Sequence, residues 1–527
     1  MGSLPLMPYA DNIRKHTSVK FGGLNHNKSA QDGAIFDMRN MTSSEYPLLA
    51  SRDKRHRVRT ISSPGGMFAH DGLYYVDGTA LKLLGTTTDT VIGSVTSGDK
   101  VFAAMGQYLV IFPDKKYYNR ETGKFGNLEA SVTGTATIGN GTYAGESAEL
   151  NTITFSNVSN LTTIFSEGDG VTIKISDKED MSAIIREITA TKLVFYENTF
   201  EVAQSSVSVT IKREVPELDF ICTNENRLWG CKGDRIYASK LGDPFNWNVF
   251  DGISTDSWQV DVGSAGDFTA CCSYRGYPCF FKEDYIYKVY GSKPANYQVM
   301  ASASLGVKPG AAKSLAVAGE VLFYVSRAGV VAYSGGIPQN IATPLGRVDL
   351  ENTVGGSDGR KYYLSCYDTV EDKYCAYVYD TEVNLWHIET MPLCNSSVWH
   401  NGVYFLTLNG EMWCIGGNDL PSSATEESQV ESYVEFGDFV ENDPNKKGTA
   451  KLQLRVELEP NASLSVQMMF DSNGIWQDIS TLRTPTKRSY YLPIIPRRCD
   501  HFKIRLSGIG KWTLYSLVRE SYSGSEI

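Results

Sequence analysis

The stretch NRLWGCKGDRIYASKLGDPFNWNVF, Asn226–Phe250, holds two short runs of strand-forming residues, RLWGC and RIYASK, joined by a Lys-Gly-Asp turn. A Gly-Asp-Pro break and a tryptophan follow. Glycine accepts the positive φ of a tight hairpin turn, and flanking β-branched and aromatic residues suit a pleated, half-buried surface. Asn226–Ser239 therefore reads as a strand–turn–strand unit. GDPFNW reads as the connection leaving it, with Pro244 and Trp247 packing over its edge.

The same unit recurs along the chain. DGLYYVDG from Asp71, GQYLVIF from Gly106, RGYPCFF from Arg275, GEVLFYV from Gly319, GRKYYLSC from Gly359 and NGVYFLTL from Asn401 each place a hydrophobic strand after a turn. A second strand follows, as in KEDYIYKVYG, RAGVVAYSGG and NGEMWCIGG. Val321, Tyr362 and Val403 are spaced by about 41 residues, the period of a four-stranded propeller blade. The pattern predicts an all-β chain built on a β-propeller of six to eight blades. Asn226–Ser239 is then the centre of one blade.

The period breaks over 128–215. EGDGVTIKI, SAIIREITATKLVFYE and SSVSVTIKR predict a small inserted β-barrel, a kind of insertion that surface loops accept at little cost. EGDGVTI is similar to the turn-and-strand entry of small SH3-like barrels. After the Ser/Glu-rich stretch near 419–430, Leu452, Leu454, Val456 and Leu458 alternate with polar residues, as do Leu464, Val466, Met468 and Phe470. A period of two marks half-buried antiparallel strands. The expected organisation is an N-terminal arm and propeller entry over 1–50, propeller over 51–127, barrel over 128–215, propeller again over 216–418, linker over 419–430 and a β-sandwich over 431–527. The first residues, MGSLPLMPYADNIRKH, are read either as an arm reaching a neighbouring subunit or as a strand closing the propeller.

Composition narrows the function. The 527 residues include 48 glycines and 30 tyrosines and carry a net charge of −10, so a free-standing nucleic-acid binder is not expected. No apolar run approaches the roughly 18 residues of a membrane span, and no signal peptide is legible at the start. None of the ten cysteines forms Cys-x-x-Cys. They read as buried structural thiols of a chain made in a reducing cytoplasm.

Motifs for chemistry are missing. Gly-x-x-x-x-Gly-Lys-Ser/Thr, Gly-x-Ser-x-Gly and His-Glu-x-x-His do not occur, and the seven histidines are scattered. His387 and His400 each follow a tryptophan, which reads as strand packing. DSNGIWQD from Asp471 resembles the Asp-box turn of sialidase propellers, but its tryptophan is one position early; a hairpin tip capped by Trp476 is the reading. No catalytic residue, cofactor or metal is expected. One run, SRDKRHRVRT, reads as the only dense positive cluster: Arg52, Lys54, Arg55, Arg57 and Arg59 are candidates to touch DNA phosphate or an acidic partner. The competing reading is a solvated edge strand guarded by charge. Strand periodicity puts Arg55, Arg57 and Arg59 on one surface face, from which they should be removable without harm to the fold.

Several stretches resemble tail hub and nozzle propeller proteins of short-tailed bacteriophages, also called packaged-DNA stabilisation proteins. They are Gly22-Gly23-Leu24-Asn25, Asp32-Gly33, Asp37-Met38 with Asn40-Met41, Tyr46-Pro47-Leu48, the opening NRLWGCKGDRIYASKLGDPFNW, and LPIIPRRCDHFKIRLSGIGKWTLYSLVRE near the end. The resemblance implies a non-enzymatic virion protein. It would form a homo-oligomeric ring, most commonly a hexamer, around the DNA channel. It would contact the portal or adaptor and other tail proteins, and touch genomic double-stranded DNA transiently. A glycan-binding surface or secreted propeller, or a receptor-binding tail component, is the alternative.

Overall fold

The computed structural model describes residues 13–27, 32–145, 149–176, 178–196, 198–442, 445–495 and 497–523. Strands dominate, and among the described residues the one α-helix is the single turn Leu161–Ile164. No helix among the described residues is long and apolar enough to cross a membrane. The chain divides into two compact units, 62–312 and 1–61 with 313–527.

The unit 62–312 carries four sheets of four strands, each a simple antiparallel meander in chain order. They begin at Pro64–Ala69, Val101–Met105, Phe220–Asn224 and Ala270–Tyr274. Phe220–Asn224, Arg227–Lys232, Arg235–Ala238 and Trp258–Asp261 form the sheet that holds the decisive stretch. Leu228, Trp229, Cys231 and Ile236 are buried on both of its faces. The polar Gly233 turn has φ +58, which costs glycine nothing. First strands of successive sheets lie side by side: Val101–Met105 against Phe220–Asn224, and that strand against Ala270–Tyr274.

Between the second and third of these sheets a closed six-stranded barrel runs from Ala130–Gly139 to Gln204–Arg213. These two strands pair along their length, from Ala130 opposite Arg213 onward, so the insertion leaves and re-enters at one point. Ile153, Ile173, Ile185, Phe195 and Val209 fill its core.

GDPFNW differs from expectation. It lies between the third and fourth strands of its own sheet rather than leaving it. Trp247 sinks into the core shared with Val110, Phe112 and Leu228, and its Nε1 donates to the Pro244 carbonyl at 3.1 Å. Asn246 holds the barrel: its Nδ2 donates to Asp169 Oδ1 at 2.9 Å, and its Oδ1 accepts the Gly170 N–H at 2.9 Å. A polar loop residue was needed there because the barrel docks on that loop.

The other unit has three more sheets of the same kind. The first starts at Ala316–Ala318, the second at Leu350–Ser357 and the third at Cys394–Trp399. The third is completed from far away in sequence: His56–Thr60 pairs with Glu411–Ile415 as its fourth strand. Thr425–Glu426, inside the expected linker, then pairs with that strand.

Two further sheets form the C-terminal module, as the alternation predicts: Leu452, Leu454, Val456, Leu464, Val466 and Met468 are all fully buried. Trp512 in one sheet donates from Nε1 to Ser432 Oγ in the other at 2.9 Å. The N-terminal boundary is a correction. Ile13–Ser18 and Leu49–Ser51 pair with Trp512–Ser523, and Ile35–Arg39 pairs with Glu431–Phe436. The segment expected as arm and propeller entry over 1–50 therefore supplies strands to the sandwich where it is described; residues 1–12 lie outside the described residues. Long-range strand partners of this sort leave no local signal.

Candidate functional site

The basic run sits where the chain passes from the sandwich strand Leu49–Ser51 to the sheet strand His56–Thr60. Its charges meet carboxylates one by one. Arg52 is buried and makes a two-pronged pair with Glu427, Nη1 to Oε2 at 2.7 Å and Nη2 to Oε1 at 2.8 Å. Burial works against the Arg52 charge, but the Glu427 hydrogen bond and neighbouring carboxylates outweigh it and raise its pKa. Arg55 is also buried. Its Nη2 donates to Glu389 Oε2, and its Nη1 donates to the Thr390 carbonyl at 2.9 Å. Lys54 pairs with Glu426 at 2.9 Å and Arg57 with Glu411 at 3.3 Å, both at the surface. Arg59 donates to the Val58 carbonyl at 3.0 Å and to Ser423 Oγ.

Asn40 ties this seam together. It adopts φ 58, a left-handed conformation that Asn tolerates better than most residues. Its Oδ1 accepts from Arg52 Nε at 3.1 Å and from the Thr390 N–H at 2.8 Å, while its Nδ2 donates to the Glu431 carbonyl at 2.7 Å. A cavity of about 430 Å³ borders the seam, lined among others by Arg39, Arg52, Arg55, Phe405, Trp413 and Glu427.

The premise that Arg55, Arg57 and Arg59 share one surface face is corrected. Arg55 precedes the strand and turns inward, and the register shifts between Met412 and Trp413, so Val58 is an unmatched residue between Arg57 and Arg59. Of the five candidates, Lys54, Arg57 and Arg59 keep contact with solvent; Arg52 and Arg55 serve as internal anchors. Arg52, Lys54, Arg55 and Arg57 each face a carboxylate, so the segment has little net charge to offer a phosphate. The sequence could not show this, because Glu389, Glu411, Glu426 and Glu427 lie more than 330 residues away.

The motif residues near the start do related work in the same unit. Gly23 packs on the backbone of Trp386, where a Cβ would lie 2.5 Å from the carbonyl oxygen. The Leu24 N–H donates to that oxygen at 2.7 Å. Asp32 accepts the N–H groups of Val440 and Glu441 at 2.6 and 2.7 Å. Ser43 Oγ donates to Asp380 Oδ2 at 2.6 Å, and Lys361 Nζ donates to Thr42 and Ser44 at 2.9 Å each. Asp32 braces the sandwich itself, and the others build a polar seam between the sandwich and the neighbouring sheets.

Groups capable of chemistry are committed elsewhere. His387 is buried, and burial, helped by Lys361, pushes its pKa down to about 3. All ten cysteines are free thiols. Burial pushes the Cys279 thiol up to about 12 and the Cys394 and Cys499 thiols up to about 11. Asp471, Asp500 and His501 stand close enough to share a metal ion. They already brace the end of the strand Ser463–Phe470 against its partner Phe502–Ile509: Asp471 accepts the Asp500 N–H at 2.9 Å, and His501 Nε2 meets Ser472 Oγ at 2.8 Å. The DSNGIWQD stretch is a hairpin tip, between Ser463–Phe470 and Gln477–Leu482. Trp476 does not cap it inward but lies under the Arg505 guanidinium, 4.1 Å from the ring centre.

No protein-family model matches the chain, and no curated protein does. Solved structures share only a loose likeness. The dihydro-heme d1 dehydrogenase NirN is 10% identical with a TM-score of 0.30, over 64% of this chain and 79% of that one. Dipeptidyl peptidase 4 of Porphyromonas gingivalis is 10% identical with a TM-score of 0.28, over 74% and 65%. An exo-β-1,3-galactanase of Phanerochaete chrysosporium is 9% identical with a TM-score of 0.20, over 55% and 93%. Likeness at this level says nothing about what this chain does.

Proposed function

We propose that the chain is a non-enzymatic structural protein of a bacteriophage tail, of the nozzle or hub kind. In this reading the small four-stranded sheets are propeller blades, and copies of the chain form a ring, most commonly sixfold, around the DNA channel. The ring holds packaged DNA and conducts it during ejection, in contact with the portal or adaptor above and other tail proteins around it. The observation that carries the proposal is the use made of the motif residues shared with nozzle proteins. Gly23 and Leu24, at the Trp386 backbone, and Asn40, between Glu431 and Thr390, serve as joints between the sandwich and its neighbouring sheets, and Asp32 braces the sandwich itself. A motif spent on joints fits a load-bearing part better than a catalytic one.

The test is to raise antibodies against the purified chain and label phage particles from its source by electron microscopy. Label at the tail below the portal supports the reading. Particles that lack the chain, or its recovery from a cell surface, would end it.

A second reading, a glycan-binding propeller, draws on one feature. Within 62–312 a groove of about 1050 Å³ is lined in part by Tyr108, Tyr117 and Phe245, packed edge to face. Saturable binding to immobilised glycans, lost in Phe245→Ala, would favour it over the tail reading.

A further inference from the structure

The sequence holds a second cationic stretch. Between Ile479 and Cys499 lie Arg483, Lys487, Arg488, Arg497 and Arg498, with no Asp or Glu among them, in a chain of net charge −10. This stretch contains Arg488–Pro493, an edge strand of the sandwich. It pairs with Lys447–Leu458 on one side, and with no strand on the other among the described residues. The cations differ from those of the Arg52–Arg59 seam. Arg483, Lys487, Arg488 and Arg497 are all exposed, and among the described residues none forms an ion pair with a carboxylate.

Aromatic and apolar side chains are interleaved with them. Tyr491 is 69% exposed and Ile495 85%. Lys487 Nζ stands 3.4 Å above the centre of the Tyr515 ring, and the Arg488 guanidinium 5.1 Å from that of Tyr490. A strand edge protected only against aggregation would carry charge without large exposed apolar groups. Cations for phosphates beside an open aromatic face for a base is the pattern of nucleic-acid strand binding. Side chains two apart on a strand are about 6.6 Å apart, so the edge offers a regular row of contacts.

We propose that this edge and the cations flanking it form a sequence-independent nucleic-acid contact, gripping phosphates with Arg483, Lys487, Arg488 and Arg497 and stacking a base on Tyr491. The assignment goes beyond the tail reading. It rests on different residues from the expected contact at Arg52–Arg59, and it stands or falls on purified protein, whereas the tail reading is decided on particles.

The experiment is fluorescence anisotropy with the full chain, a labelled oligo-dT of about 20 nucleotides and a duplex of about 20 base pairs, across a salt series. Four phosphate contacts predict a log–log salt slope of about −3 for the single strand and about −3.6 for the duplex. Replacing the four cations by Gln should weaken binding at least about tenfold and bring the slope close to zero. Tyr491→Ala should weaken the single strand more than the duplex. Arg57→Gln should change neither. All these positions are exposed, so unchanged melting by circular dichroism separates lost contact from lost fold. The proposal is overturned if the wild-type chain binds neither probe at about 50 mM salt, where electrostatic binding is strong. It is also overturned if the fourfold variant binds as the wild type does. A wild type that self-associates through this edge without binding either probe would assign the edge to a second copy, and so overturn it too.

Discussion

Arg55→Gln removes a guanidinium that is buried against Glu389, each side chain being 7% exposed. The neutral amide is shorter and cannot match the carboxylate charge, so Glu389 is left buried without its partner. Breaking a buried pair from one side costs about 3–5 kcal/mol, because the desolvation of the surviving charge is no longer offset. For a domain of a few hundred residues this lowers the melting temperature by roughly 2–4 °C per kcal/mol, or about 6–20 °C in all. Arg57→Gln is the control. Its side chain is 47% exposed and its partner Glu411 is 33% exposed, so the change should stay within about 0.5 kcal/mol. The double replacement Arg55→Met with Glu389→Leu should recover most of the loss, since no charge is then stranded. Urea and thermal melts of the four proteins measure this directly. If Arg55→Gln melts with Arg57→Gln, or if the double variant loses as much as Arg55→Gln does, the seam is not a dry ionic joint and the argument fails.

Three further outcomes follow from the same structure. His387 is held neutral with a pKa of about 3 against an ordinary 6.5, so the unfolded chain binds its proton first and stability falls as pH drops through that window. The slope from this residue is about 1.4 kcal/mol per pH unit, and urea midpoints between about pH 6 and 4.5 should flatten in His387→Phe; equal slopes would sink the assignment. Joining Glu129 to Glu214 by a short glycine linker should delete the barrel and leave the sheets of 62–312 folded, because Ala130 and Arg213 are direct strand partners. Proteolysis or circular dichroism showing general unfolding would refute an independent insertion. Gly23→Ala should destabilise by about 1–3 kcal/mol, since its Cβ would press on the Trp386 carbonyl oxygen at 2.5 Å; a silent variant would mean that joint is loose.

How much was legible depended on how local the signal was. The 41-residue spacing of Val321, Tyr362 and Val403 is set by meanders whose strands pair with their chain neighbours, so turn chemistry and alternation reveal them. The barrel and the alternating Leu452–Leu458 strand were readable for the same reason. The second cationic stretch is legible as 21 residues, Ile479 to Cys499, without a carboxylate, but its cations are less dense than those of SRDKRHRVRT, so charge density alone does not single it out.

The sequence by itself therefore determined the all-β character, the repeated sheet unit and the place of the insertion, because strand period and turn residues act over a few positions. Only the tertiary structure decided that the strands Ile13–Ser18, Ile35–Arg39 and Leu49–Ser51 belong to the sandwich, that His56–Thr60 completes a sheet begun at Cys394, and that Arg52 and Arg55 are consumed by Glu427 and Glu389. The physical reason is the same in each case. A backbone edge or a buried charge must find a partner, and nothing in a local pattern states which of the distant edges or carboxylates folding will bring to it.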